Sequence, residues 1–381
     1  MINHMINEDR LRDKFEELVK IDSVSMHEKE IALNLAESLK KLGGKIFFDN
    51  SKKATKSNIG NLIAKFKGDV DVEPIFLCGH MDTVNPGINV KPIFKNGIFR
   101  SDGTTILGAD DKSALAIIIE VLKVIVENKL KHSPIEIIFT VCEEIGLIGA
   151  KNLDLSLINS KLGYILDSTN TEGIATNAPA ANKISIKIFG KAAHAGGEPE
   201  NGVNALFIAA KAISRLKLGR IDHETTCNLG TIKGGIATNI VPDLIEINGE
   251  VRSHDEAKLE KVTNTIRDSF IATQKEFSNK VNIPEIEFIV EKDFPKTNIP
   301  KDSLVVQLAQ KASENLGRQL DTKIVGGGSD ANIFFGKGIL PGVIGTGMRD
   351  VHTVNEWIKL EDMVKTVELV LEIIKIHSSG K

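Results

Sequence analysis

Cysteine is scarce in this sequence: Cys78, Cys142 and Cys227 are the only three in 381 residues, and none falls in a C-x-x-C arrangement. Three thiols cannot all pair, which argues against a disulfide framework and predicts buried thiols in a reducing compartment. A basic excess is also lacking. The formal net charge is -3, so neither nucleic acid nor an anionic membrane is expected as a partner. No apolar run reaches the roughly 18 residues needed to span a bilayer. Residues 1–20 are rich in charge and have no apolar centre of the signal-peptide kind. Together these absences predict a cytoplasmic address. What is present is an ordinary globular composition, 41% hydrophobic and 26% charged, in a chain long enough for two domains or for one carrying an inserted second.

Helical periodicity runs through Leu11, Phe15, Leu18 and Val19 and again over 28–42, stopping at Gly43-Gly44. Strands are predicted over 45–48, 61–67 and 75–78, and a hairpin over 97–107 turning near Asp102-Gly103. The stretch 113–128 is apolar on nearly every side, as suits a helix buried in a layered domain. Strands over 135–142 and 164–166 follow, and the pattern resumes after residue 295, closing on a helix over 360–376. This alternation predicts an α/β fold, a mixed sheet sandwiched by helices. Between these parts the pattern changes: Ile184, Ile186 and Ile188 alternate with polar residues, and the order β-α-β-β-α-β is that of a ferredoxin-like α+β unit. The predicted division is therefore a discontinuous catalytic domain, 1–180 with 295–381, and an inserted lid, 181–294.

Where the apolar runs end is more informative. Phe76 to Asp82 reads F-L-C-G-H-M-D, and Asp110-Asp111, Glu143-Glu144 and Asp167 also close apolar runs or open helices. Open α/β sheets place their ligands at the carboxyl ends of strands. Taken singly, each group has a bland explanation, such as a solvated turn or a helix N-terminus favouring carboxylates. Together with the late His352, they supply two imidazoles (His80, His352) and three carboxylates (Asp110, Glu144, Asp167) for two divalent ions, one carboxylate bridging. That donor mixture suits zinc, with cobalt or manganese as alternatives, better than calcium. Asp82, two residues from His80, is placed to hold the imidazole in one tautomer. Glu143 is left over as a general base.

Three motifs, G-H-M-D-T-V (79–84), L-G-A-D-D-K (107–112) and C-E-E-I-G (142–146), together with His352, resemble the dinuclear zinc aminopeptidase, carboxypeptidase and deacylase superfamily, and the longer run D-G-T-T-I-L-G-A-D-D-K (102–112) resembles its peptidase T branch in particular. The resemblance spans essentially the whole chain. It implies that His80 and Asp167 hold one ion, that Glu144 and His352 hold the other, and that Asp110 bridges. It also implies that Glu143 is the base and Asp82 orients the histidine. In the lid, A-A-H-A-G-G (192–197) resembles the segment whose histidine reaches the scissile carbonyl, which makes His194 an oxyanion stabiliser. A-T-N-I-V-P (237–242) and V-R-S-H-D (251–255) resemble substrate-gripping positions, through Asn239 and Arg252. The loop 326–332 resembles one that lines the substrate pocket, through Gly328 and Ser329. The chain has H-A-G where H-P-G is the branch's pattern, which loosens the implied preference for tripeptides. The expected function is removal of N-terminal residues from short peptides by a homodimer paired through the lid. A carboxypeptidase or N-acyl amino acid deacylase is the alternative within the superfamily, and a binding protein on a dead hydrolase the alternative outside it.

Overall fold

A computed structural model describes residues 2–278 and 284–380. The chain forms two compact units. The first comprises the residues up to Asn177, Asn298–Val325 and those from Ser329 onward; the second is Ala178–Thr297 with Gly326–Gly328. The divisions fall three residues outside the sequence-based ones, beyond the unit's first and last long strands in chain order, Ala180–Phe189 and Glu285–Phe294.

In the first unit a mixed sheet runs Lys45–Phe48, Leu62–Phe66, Ile135–Thr140, Ile75–His80, Leu162–Ile165, Leu340–Ile344 and Gly173–Ala178, with Asp321–Ile324 also paired to the last. Ile75–His80 is parallel to both of its neighbours, with His80 opposite Thr140 and Cys78 opposite Ile165. All six of its residues are buried, because both faces of the sheet are covered. On one face, Gly79 lacks a Cβ that would stand 2.9 Å from the Ala114 Cβ, so the helix Ala109–Asn128 lies close against the strand. On the other face, the Phe76 ring meets Phe334 of the helix Asp330–Gly336 at 5.2 Å. The long helix is buried on nearly all sides, and its one buried carboxylate toward the middle, Glu120, is matched by a forked ion pair with Arg10.

Two local expectations are corrected. The hairpin pairs Ile93–Lys95 with Ile98–Arg100 and turns at Asn96-Gly97, both at positive φ, a two-residue turn whose twist suits paired strands. Asp102-Gly103 lies in the loop beyond it. The strand Gly173–Ala178 was not predicted, since its small residues carry no alternation. No helix among the described residues is long and apolar enough to cross a membrane.

The second unit is an antiparallel sheet ordered Gly219–Arg220, Thr225–Gly234, Leu244–Ser253, Ala180–Phe189 and Glu285–Phe294. With the helices Ala205–Ile213 and Glu256–Phe277 this is the ferredoxin-like arrangement. Ile184, Ile186 and Ile188 face the core with Ala209, Ile247 and Phe270, while the intervening Lys183, Ser185 and Lys187 stay half-exposed.

Candidate metal centre

Parallel strands deliver their next residues to one place. His80 closes its strand, and the chain beyond Thr140 and Ile165 supplies Glu143, Glu144 and Asp167. Asp110 arrives at the start of the long helix, where its backbone is still non-helical, and His352 follows Leu340–Ile344. Ligand-type atoms lie within 4.8 Å of one another in three groups: His80, Asp110 and Asp167; His80, Glu143 and Glu144; and Asp110, Glu144 and His352. The five residues named as ligands from sequence thus converge with Glu143. Asp110 belongs both to the group containing Asp167 and to the group containing His352. Its Oδ1 lies 3.0 Å from His80 Nε2 and its Oδ2 3.2 Å from His352 Nε2, which is also 2.9 Å from Glu144 Oε1.

The main chain around these groups is held by side chains from elsewhere. Asp82 accepts the Glu143 N–H at 2.9 Å, the Glu144 N–H at 3.2 Å and the Ser25 hydroxyl at 2.7 Å. Its carboxylate is then 3.6 Å from His80 Nδ1, so the contact at the imidazole is made by the Asp82 carbonyl, at 2.9 Å. A carbonyl can only accept, so Nδ1 carries a proton, and Nε2 is the ring atom that faces Asp110 and could turn to an ion. Glu28 accepts the Cys142 N–H at 3.0 Å, and Asn61 accepts that of Val141 at 3.1 Å. Cys142 has φ 54°, a left-handed conformation that a non-glycine residue keeps only with such support. Glu28 and Asn61 were missed from sequence. Glu28 stands directly before the helix Lys29–Lys41 and looks there like an ordinary helix start.

The remaining site candidates have separate surroundings. Ser329 caps the helix Asp330–Gly336 by accepting the Ala331 N–H, while its own N–H donates to Asn332 Oδ1 at 3.0 Å. His194, Asn239, Arg252 and Gly328 belong to the second unit. There His194 pairs with Ile240, and the Ala195 N–H donates to the Asn239 carbonyl at 2.9 Å, which brings two of the motif loops together. His194 Nδ1 accepts the N–H groups of Gly196 and Gly197 at 3.2 and 2.9 Å, so the ring proton sits on Nε2 of an exposed side chain. The Arg252 guanidinium donates to Glu250 at 2.9 Å and lies over the Phe294 ring. Gly328 also packs on that ring, and a Cβ there would stand 2.4 Å from it.

Do these residues fit a pair of cations? Burial raises the carboxyls of Glu143 and Glu144 and carries Asp167 to about 7 and Asp330 to about 6. No lysine or arginine among the described residues forms an ion pair with Asp110, Glu143, Glu144, Asp167 or Asp330. Oδ1 of Asp330 and Oδ1 of Asp111 have no hydrogen-bond partner among the described residues. So much buried acid, with two imidazoles but no lysine or arginine to balance it among the described residues, is a donor set suited to divalent ions.

A helix-flanked sheet with this cluster at its carboxyl edge defines a hydrolase that works with paired metal ions. The sequence pattern of Peptidase family M20/M25/M40 matches residues 76–376, and the chain belongs to that family of metal-dependent, peptide-bond-hydrolysing enzymes. It is 44% identical to the uncharacterized protein YqjE of Bacillus subtilis strain 168, over 97% of this chain and 99% of that one. Among solved structures it is similar to the aminopeptidase PepT of Bacillus cereus, at 42% identity and TM-score 0.85, covering 99% of this chain and all of that one. A tripeptidase of Staphylococcus aureus is 42% identical with TM-score 0.91, covering 98% of this chain and 100% of its own.

A pH dependence follows from the metal-free site. The carboxylates of Asp110 and Glu144 raise His352 to about 10, against the opposing effect of partial burial. A histidine raised in this way stabilises the metal-free fold fully below its unfolded value of about 6.5. That contribution is lost as the pH rises through about 10. A cation must displace the proton, so ion binding is expected to release protons and, below about pH 10, to weaken about tenfold for each unit the pH falls, per proton displaced. Calorimetry in two buffers of different ionisation enthalpy measures the release; affinity that is flat from about pH 6 to 8 would contradict it.

Proposed function

We propose that this enzyme is an aminopeptidase that removes the N-terminal residue from short peptides. Asp110 carries the reading, as the carboxylate common to both ligand groups. In this assignment His80 and Asp167 would hold one ion and Glu144 and His352 the other, and Asp110 would be the ligand common to both. Zinc suits the mixture of imidazole and carboxylate, with cobalt or manganese as substitutes. When bound, the ions polarise the scissile carbonyl and make water acidic enough to lose a proton near neutral pH. Glu143 takes that proton and returns it to the leaving amine, a double task that suits a carboxyl whose burial makes it more basic than usual. His194 offers its Nε2–H to the developing oxyanion, since Gly196 and Gly197 already occupy Nδ1. Asn239 hydrogen-bonds the peptide, Arg252 takes its carboxylate through the otherwise unpartnered Nε, and Gly328 and Ser329 line the pocket.

The 42% identity to an aminopeptidase and to a tripeptidase over nearly the full chain supports the choice of the N-terminal bond. A homodimer through the second unit and a cytoplasmic address complete the proposal. Three unpaired, buried cysteines agree with the latter. The test is a tripeptide offered with a free and with an acetylated amino terminus. The free peptide is expected to be cleaved at least about a hundredfold faster, because a site built to pair a charged amine is left with unmatched polar groups by the blocked one. Faster turnover of the acetylated form would assign a deacylase instead.

A further inference from the structure

The peptide N–H groups that lead into Asp110 have an unusual acceptor. Gly108 has φ 78°, Asp110 φ -84° with ψ 102°, and Asp111 φ -121° with ψ 29°, so this stretch makes no regular helical ladder. Helix starts are commonly satisfied by the side chain of the preceding residue, but Gly108 has none. The acceptor is Glu356. Its Oε2 receives the N–H groups of Leu107 and Gly108 at 2.8 and 2.7 Å, and its Oε1 that of Asp110 at 3.0 Å. The side chain is 1% exposed.

Glu356 also belongs to the segment that supplies His352. Arg349 and Trp357 exchange main-chain hydrogen bonds of 2.9 and 3.0 Å, which closes a loop with His352 near its middle and Glu356 at its end. One carboxylate therefore joins the two backbones that present Asp110 and His352, members of a single ligand group.

We infer that Glu356 is a positioning residue for the ion pair, setting the Asp110 carboxylate at its distance from His352. The inference rests on the two-ion reading above. The chemistry is specific to a carboxylate. Two anionic oxygens can accept three N–H groups, whereas a glutamine in the same rotamer turns either its NH2 or its single oxygen toward each of them and sets donor against donor on one side.

E356Q is expected to bind the ions about 10- to 100-fold more weakly than the parent, the usual cost of losing a group that orients a ligand. Chelator competition reads this directly, without turnover. Glu136 provides the control: it is also a buried carboxylate that accepts main-chain N–H groups, those of Asn159 and Ser160 at 2.9 Å, but it lies near the amino end of its strand, away from the cluster. E136Q should lose comparable stability toward urea and keep ion affinity within about twofold of the parent, since distant sites act independently. E356D keeps the charge one methylene short; it should lose affinity to a lesser degree, and it carries the test should E356Q fail to fold. Parental affinity in E356Q, or equal weakening in E136Q, overturns the inference while leaving the two-ion reading intact. A parent that binds fewer than two ions removes both.

Discussion

Replacing Glu143 by glutamine is expected to lower kcat by about 10²- to 10⁴-fold while both ions stay bound, the range typical of a lost general base. The substitution keeps size and shape, so the buried position is filled as before. The contact that fixes this residue's backbone, from its N–H to Asp82, does not involve the side chain at all. Glu144 likewise keeps its own N–H bond to Asp82 and its contact with His352. What disappears is the capacity to take up and hand on a proton. The measurement pairs steady-state turnover of a free tripeptide with metal content on the same sample. A variant that retains two ions and turns over as fast as the parent would show that another group moves the proton.

Asp110→Asn should have the second large effect, and its signature differs. Because Asp110 is shared between the two ligand groups, loss of its charge weakens both positions, and the bound ions are expected to fall from two per chain to one or none. Affinity should drop by more than the 10- to 100-fold typical of an outer partner, and activity should follow ion content. Excess metal should then restore part of the rate, which it would not do for the Glu143 variant. Two tightly held ions in Asp110→Asn, found by elemental analysis after gel filtration, would rule out the bridging assignment.

Much of the architecture was legible because the two hydrophobic periods differ so plainly. The fully apolar strand at Phe76 and the alternating isoleucines of the second unit announce different surroundings before any contact is known. The acidic residues and His80 were legible for a related reason, since a polar group that ends a buried strand must meet something. What stayed hidden was the support for the backbone. Glu28, Asn61 and Glu356 are remote in sequence from the N–H groups they accept, and nothing about an isolated glutamate marks it as the partner of three amides. Asp82 shows the same limit: its proximity to His80 was readable, but which of its oxygens meets the ring depended on the amides of Glu143 and Glu144 competing for its carboxylate. Ser329 sits at a helix start, where capping already accounts for its hydroxyl.

The order in which the ligand segments occur along the chain bears on biogenesis. His80 emerges early from the ribosome, but its counterpart His352 follows 272 residues later (352 − 80), after the whole second unit has been made. A nascent fragment ending before that point lacks one of the five proposed ligands and also the helix Leu360–Ser378, whose buried residues belong to the main core. On the assignment proposed here, the fifth ligand and this core helix arrive together, so a chain cut short of both is expected to lack stability as well as a full cation complement.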